Sequence, residues 1–227
     1  MKVKPIWKLF ALGCMTFVFF VTLSACSGDS KDAASTTSPF SSLKQAASYA
    51  GAILSKPYPK FDGTLVDSNG AAFNMAEQTK GAVTMVFFGY TNCPDACPTI
   101  MGTLASAKNQ VSPDVAKNVK VLFITVDPQR DTTKVLKDWL GKIDISFIGL
   151  TGSANQLKAV EVAYGIPPEV IDKATPEQLD YFVDHFAGVF VYSPDNYAHL
   201  LYPAQGVSAS QWASDIAKLA KQGFKQP

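Results

Sequence analysis

VTMVFFGYTNCPDACPTIM, residues 83–101, reads as a strand, a tight turn and the start of a helix. Val83 to Phe88 is a short apolar run rich in Val and Phe, the composition of a strand buried on both faces. Gly89 lets the chain bend sharply after it. Cys93-Pro94-Asp95-Ala96-Cys97-Pro98 follows. Proline is tolerated in the first turn of a helix but not deep within one, so Pro94 and Pro98 place both thiols where the helix begins. At about 3.6 residues per turn, an i, i+4 pair returns to nearly one face, and the two sulfurs point the same way. A helix N-terminus favours negative charge, so the position also predicts stabilised thiolates.

Two thiols so placed can close as a disulfide and exchange with other thiols, or they can hold a soft metal together. A permanent disulfide that merely staples the turn is the plainer alternative. It closes a very short loop, and short loops contribute little by the entropy argument.

Further strands and helices alternate outward from this unit. Val119 to Val126 (VKVLFITV) and Ile143 to Leu150 read as buried strands. Between them, Asp131 to Leu140 reads as a helix with Asp131 as its cap. Ser153 caps a helix over Ala154 to Tyr164, which Gly165 stops before Pro167-Pro168. On the N-terminal side, Asp67-Ser68-Asn69-Gly70 predicts a hairpin turn after Gly63 to Asp67. On the C-terminal side, Gly188 to Tyr192 and His199 to Tyr202 are short strands separated by the turn Ser193-Pro194-Asp195-Asn196. Ser208 opens a last helix, with Ala213, Ile216, Leu219 and Ala220 as its apolar stripe. This order predicts an α/β fold, a mixed sheet flanked by helices with an N-terminal hairpin.

The chain has 227 residues, 47% of them hydrophobic, enough for one domain with a sizeable core. Its net charge of +1 implies no polyanionic partner. No basic patch with interleaved aromatics is present, which argues against nucleic acid.

Residues 1–25 read as a secretory signal: Lys2, Lys4 and Lys8 precede an apolar run from Leu9 to Leu23, and small residues precede Cys26. An uncleaved anchor is the alternative, but about 15 apolar residues is short for a span. Cleavage removes three lysines and no acid, taking the net charge from +1 to −2. Leu23-Ser24-Ala25-Cys26 resembles the bacterial lipobox, which implies a lipid on Cys26 and attachment on the extracytoplasmic side of a bacterial membrane, the periplasmic side if there are two. Cys14 is lost with the signal, so Cys93 and Cys97 are the thiols left to the folded part. The exported compartment permits disulfides. Residues 26–56 are rich in Ser, Ala, Thr and Asp and read as a flexible tether, with some helical character over Lys44 to Leu54. The folded domain is expected over residues 57–227.

Here the motifs resemble those of the Sco/SenC family, which has a thioredoxin-like fold. FFGYTNCPDACP is similar to that family's copper-binding motif. VDPQRDT (Val126 to Thr132), GLTGS (Gly149 to Ser153) and VDHFAGVFVYSPDN (Val183 to Asn196) resemble its further signatures, in the family's order, over roughly Phe61 to Pro203. The resemblance implies His185 as a third ligand beside Cys93 and Cys97. Phe186 is bulkier than the small polar residue expected after that histidine.

Two thiolates and an imidazole form a soft set that suits copper, Cu(I) or Cu(II), or zinc. Zinc wants a fourth ligand, and His199 is the remaining histidine. The intervals of 3, 87 and 13 residues do not resemble a compact zinc module. Met85 and Met101 flank the motif and read as packing. Asp127 reads as a turn residue or a carboxylate behind the site, Arg130 and Asp131 as ties for the helix start, and Asp95 as a like charge that lowers the thiolate preference or as a helix cap.

The family resemblance implies delivery of copper to the copper A centre of cytochrome c oxidase, or reduction of the cysteines there. The expected partners are the copper-site subunit of that oxidase and a thiol reductant or copper donor. A thiol-disulfide reductase is the alternative to a metallochaperone. A peroxiredoxin-like peroxidase is disfavoured by the four-residue spacing of the cysteines.

Overall fold

The computed structural model describes residues 44–45, 48–167, 169–172 and 180–226. The expected signal, Cys26 and most of the tether lie outside them. In chain order the elements are β1 (Lys44–Gln45), β2 (Ala52–Pro59), β3 (Thr64–Asp67), β4 (Ala72–Asn74), α1 (Met75–Gln78), β5 (Val83–Gly89), α2 (Ala96–Gln110), α3 (Pro113–Ala116), β6 (Val119–Thr125), α4 (Thr133–Gly141), β7 (Ile148–Thr151), α5 (Ala154–Tyr164), β8 (Val170–Asp172), β9 (Phe182–Asp184), β10 (Gly188–Tyr192), β11 (Tyr197–Pro203) and α6 (Ala209–Gln222).

Every residue of β5 is buried, as its unbroken apolar run predicts. It lies in the middle of a nine-stranded sheet ordered β1-β2-β11-β10-β5-β6-β7-β3-β4. β5 pairs parallel with β6 and antiparallel with β10, so the sheet is mixed. Helices cover it: α2 packs on α6, α4 on β7 and α5 on β3. The register decides where the chemistry sits. Gly89 pairs with Thr125, so β5 and β6 end level and the loops after them lie side by side. The amide of Val126 donates to the Gly89 carbonyl at 2.9 Å and holds them together. Carboxyl ends of parallel strands are where open α/β sheets place ligand sites.

Local chemistry sets the element ends. Ser153 and Ser208 each form a full capping box, with Gln156 and Gln211 returning the bond. Gly165 closes α5 in the left-handed conformation, φ 63°. In the predicted hairpin of β3 and β4, the Asp67 carboxylate accepts from the amides of Asn69 and Ala71 at 2.8 and 2.9 Å.

Four expectations need correction. Asp131 does not cap α4; the Thr132 side chain does. The third central strand begins at Ile148, because Asp144 accepts from the Ser146 amide and hydroxyl and folds residues 144–147 into a turn. The described residues of this stretch, 44–45 and 48–54, are not helical: β1 and the start of β2 lie there and pair with each other. The fold also takes in residues that the composition assigns to the tether. Tyr49 and Leu54 are buried, the Ala50 amide donates to Asp215 at 2.7 Å, and Tyr49 stacks on Phe224. The sequence also gave no sign of a two-stranded ribbon of β8 and β9, outside the main sheet.

Candidate metal centre

Cys93 lies in the turn after β5, and Cys97 is the second residue of α2. Cys93 is half-buried, Cys97 is fully buried, and neither is in a disulfide. The Cys97 amide points at the Cys93 sulfur, 3.5 Å away. Asp95 sits at the N-cap but makes no capping bond through its side chain. His185 follows β9, and its Nε2 lies 3.6 Å from the Cys97 sulfur. The two sulfurs and an imidazole nitrogen all lie within 4.8 Å of one another. Around an ion with bonds of about 2.0–2.3 Å, three trigonal donors stand roughly 4 Å apart. The group therefore fits one ion after small side-chain adjustment. It is the only group of three such donors this close among the described residues.

Gly89 makes room for it. A Cβ there meets the Cys97 sulfur at 2.8 Å, Phe87 Cε1 at 2.8 Å and Phe123 Cε2 at 3.0 Å. Its backbone does not have positive φ, so close approach of the sulfur, rather than a sharp bend, is what requires glycine. His185 is held between aromatic edges, with Phe87 at 6.0 Å and Tyr90 at 5.6 Å between ring centroids. Its Nδ1 faces the Phe186 carbonyl at 3.2 Å. A carbonyl only accepts, so this contact favours the tautomer with the proton on Nδ1, which leaves the Nε2 lone pair on the thiol side. Phe186 itself packs against Phe190, and the bare Gly188 leaves space for its ring.

Burial sets the protonation of the metal-free site. It pushes the Cys97 thiol well above its usual range, and the neighbouring Cys93 adds to the effect. The helix N-terminus therefore does not make Cys97 a free thiolate. Burial also lowers His185, favouring neutral imidazole. Metal ligands must be deprotonated thiolate and neutral imidazole, so the second condition is met in advance and the first is met on loading.

His199 is elsewhere. Its Nε2 bonds Asp195 at 2.7 Å and its ring stacks on Phe224 at 4.2 Å, so it does not complete a Cys2His2 set. Met85 and Met101 are wholly buried packing residues.

The SCO1/SenC family model matches residues 57–221. The chain belongs to the SCO1/SenC family. Among its relatives, an SCO2-like protein of Rickettsia felis is 39% identical over 124 residues, 55% of this chain and 59% of that one. The match thus spans under two thirds of the curated relative. Among solved structures, copper-bound ScoI of Bradyrhizobium japonicum is 29% identical with a TM-score of 0.60, covering 72% of this chain and 98% of that one. Copper-bound yeast Sco1 is 28% identical with a TM-score of 0.63, covering 74% and 88%. The thioredoxin-like fold expected from the Sco/SenC motifs is the fold found.

Beyond the three donors, this Sco-family site includes residues that motif reading missed. Thr91 and Tyr181 both bond to the loop between β6 and α4. Thr91 lies inside the cysteine motif and could have been suspected; Tyr181, four residues before His185, carried no signal. Asp127 is not a mere turn residue: it is buried, pairs with Arg130 and accepts from the Tyr181 hydroxyl at 2.6 Å.

Proposed function

We propose that this chain is a copper metallochaperone, held by a lipid on Cys26 at the extracytoplasmic face of a bacterial membrane after residues 1–25 are removed. It carries one copper ion as cargo on Cys93, Cys97 and His185 and delivers it to the copper A centre of cytochrome c oxidase. The supporting observation is the convergence of two sulfurs and an imidazole nitrogen within 4.8 Å, brought together from positions 88 residues apart in sequence. Copper bound to two related Sco proteins of the same fold points to the cargo. The copper-binding domain covers residues 57–227, extended backwards by β2.

Of the two sulfurs, Cys93 is the one nearer solvent and the point of entry. Cys97 is anchored behind it on α2. Nδ1–H of His185, fixed on the Phe186 carbonyl, aims Nε2 at the same point. Loading displaces the thiol protons to solvent. Three donors leave room for a receiving ligand to bind before the last donor lets go.

The same two thiols support a second reading, a reductase for the oxidase cysteines. The observation in its favour is an unpaired, half-exposed Cys93 with Cys97 directly behind it. His185→Ala separates the two. The metallochaperone reading expects a midpoint potential of the thiol pair near wild type, weakened copper binding and failed oxidase assembly at limiting copper. Full assembly by that variant overturns it in favour of the reductase. Labelling with fatty acid, lost in Cys26→Ala, checks the anchor.

A further inference from the structure

The loop joining β6 to α4, residues 126–132, contributes no donor atom, yet two of its carboxylates are wholly or almost wholly buried. Asp131 is 0% and Asp127 2% exposed. Asp131 faces the cysteine turn. It accepts from the Thr91 hydroxyl at 2.5 Å, from the Thr91 amide at 3.1 Å, and from the Thr125 hydroxyl at 2.7 Å. Thr91 is two residues before Cys93. Asp127 faces the other way. It accepts from the Tyr181 hydroxyl at 2.6 Å and pairs with the guanidinium of Arg130. Arg130 in turn donates to the Tyr181 carbonyl at 3.0 Å and lies over the Tyr181 ring at 3.5 Å. Tyr181 leads directly into β9 and His185.

We propose that this loop is the positioning element of the site: Asp131 holds the thiol turn, Asp127 with Arg130 holds the histidine segment, and their spacing on one loop sets the distance from sulfur to imidazole. The inference rests on the reading that Cys93, Cys97 and His185 act together. Physically, each tie is a buried charge-assisted bond, stronger than a neutral one and costly to leave half made. Both ties come from a single loop, itself pinned by the Asp127 amide on the Thr125 hydroxyl at 2.9 Å, so neither segment can shift freely relative to the other.

The two arms are separable. Tyr181→Phe removes one hydroxyl and keeps the ring on Arg130; Thr91→Val removes the other. Amide hydrogen exchange is read on the reduced, metal-free protein. Tyr181→Phe is expected to speed exchange in residues 180–187 by about tenfold and leave 89–97 within about twofold of wild type. Thr91→Val is expected to do the reverse. After Cu(I) loading, X-ray absorption should show Tyr181→Phe losing its nitrogen scatterer while keeping two sulfurs. If either variant speeds both segments alike, or neither changes its own segment, the loop is ordinary packing and the proposal fails. Absence of nitrogen from the wild-type copper spectrum overturns the ligand role of His185 instead, and the exchange result still decides the loop.

Discussion

Gly89→Ala puts a single methyl group at the most crowded point of the site. The added carbon lies 2.8 Å from the Cys97 sulfur and 2.8 Å from the Phe87 ring. Ordinary contacts begin at about 3.5 Å, so each neighbour must give by roughly 0.7 Å. Neither can do so cheaply, because Cys97 and Phe87 are both fully buried. Overpacking of this kind costs about 1–3 kcal/mol. Replacing a strand glycine returns roughly 0.5–1 kcal/mol. The net loss of up to about 2.5 kcal/mol lowers Tm by up to roughly 10 °C for a domain of this size. Binding suffers more than folding, because a site displaced by more than about 0.5 Å is already out of tolerance. Copper affinity should fall about 10–100-fold, the range found when residues supporting metal ligands are changed. Competition against a chelator measures the affinity, and thermal unfolding of the reduced protein measures the stability. A double-mutant cycle isolates the sulfur. In a Cys97→Ala background Gly89→Ala should cost at least about 0.5 kcal/mol less, the residue being the two phenyl rings. Wild-type affinity in Gly89→Ala, or strict additivity in the cycle, refutes close approach as the reason for glycine.

Protein starting at residue 57 should be less stable than protein starting at residue 48. It loses the burial of Tyr49 and Leu54 and the pairing of residues 52 and 53 with β11, at least about 3 kcal/mol by area, which thermal unfolding reads as roughly 6–12 °C. Equal Tm values would show that β2 adds nothing. Glu161 gives a pH effect. Burial, and then the neighbouring Glu169 carboxylate, raise it to about 7 from its ordinary 4.5, with Lys158 at 3.6 Å opposing. The folded state therefore holds the proton more tightly than the unfolded chain. Its contribution is fully present below about pH 4.5 and is lost as pH rises through about 7. Glu161→Gln should stabilise the protein at pH 8 and flatten the Tm profile between pH 5 and 8; an unchanged slope counts against it.

The central strand, the position of both thiols and the boundaries of α5 were legible because each rests on local chemistry: an apolar run, prolines at a helix start, Ser153 before and Gly165 after. The grouping of His185 with the thiols was not local. It came through likeness of motifs and depends on a sheet register in which β10 lies beside β5. Asp131 misled because an acid before a helix is usually its cap, whereas here burial turns it inward and Thr132 takes the exposed capping place. The tether composition hid β2, because the strand sinks one side chain, Leu54, among half-buried and exposed neighbours, and is secured mainly by backbone pairing with β11 and by contacts just before it, such as Ala50 with Asp215 far along the chain. Tyr181 was invisible for the same reason: its partner is 54 residues away.

The donors of the site are carried by parts of unequal standing. Both sulfurs belong to the unit of β5 and α2 at the heart of the sheet, while the imidazole follows β9, a strand of the separate two-stranded ribbon. Opening a short ribbon takes far less free energy than unfolding a central strand. Under the proposed function, departure of the cargo is expected to have an order: the nitrogen detaches first, once the ties of Tyr181 to Asp127 and Arg130 give way, and the sulfurs hold until a competitor arrives. Stopped-flow transfer to a chelator should show a first phase that disappears in His185→Ala and a second, chelator-dependent phase that remains. A single phase in wild type would mean that all three donors let go together.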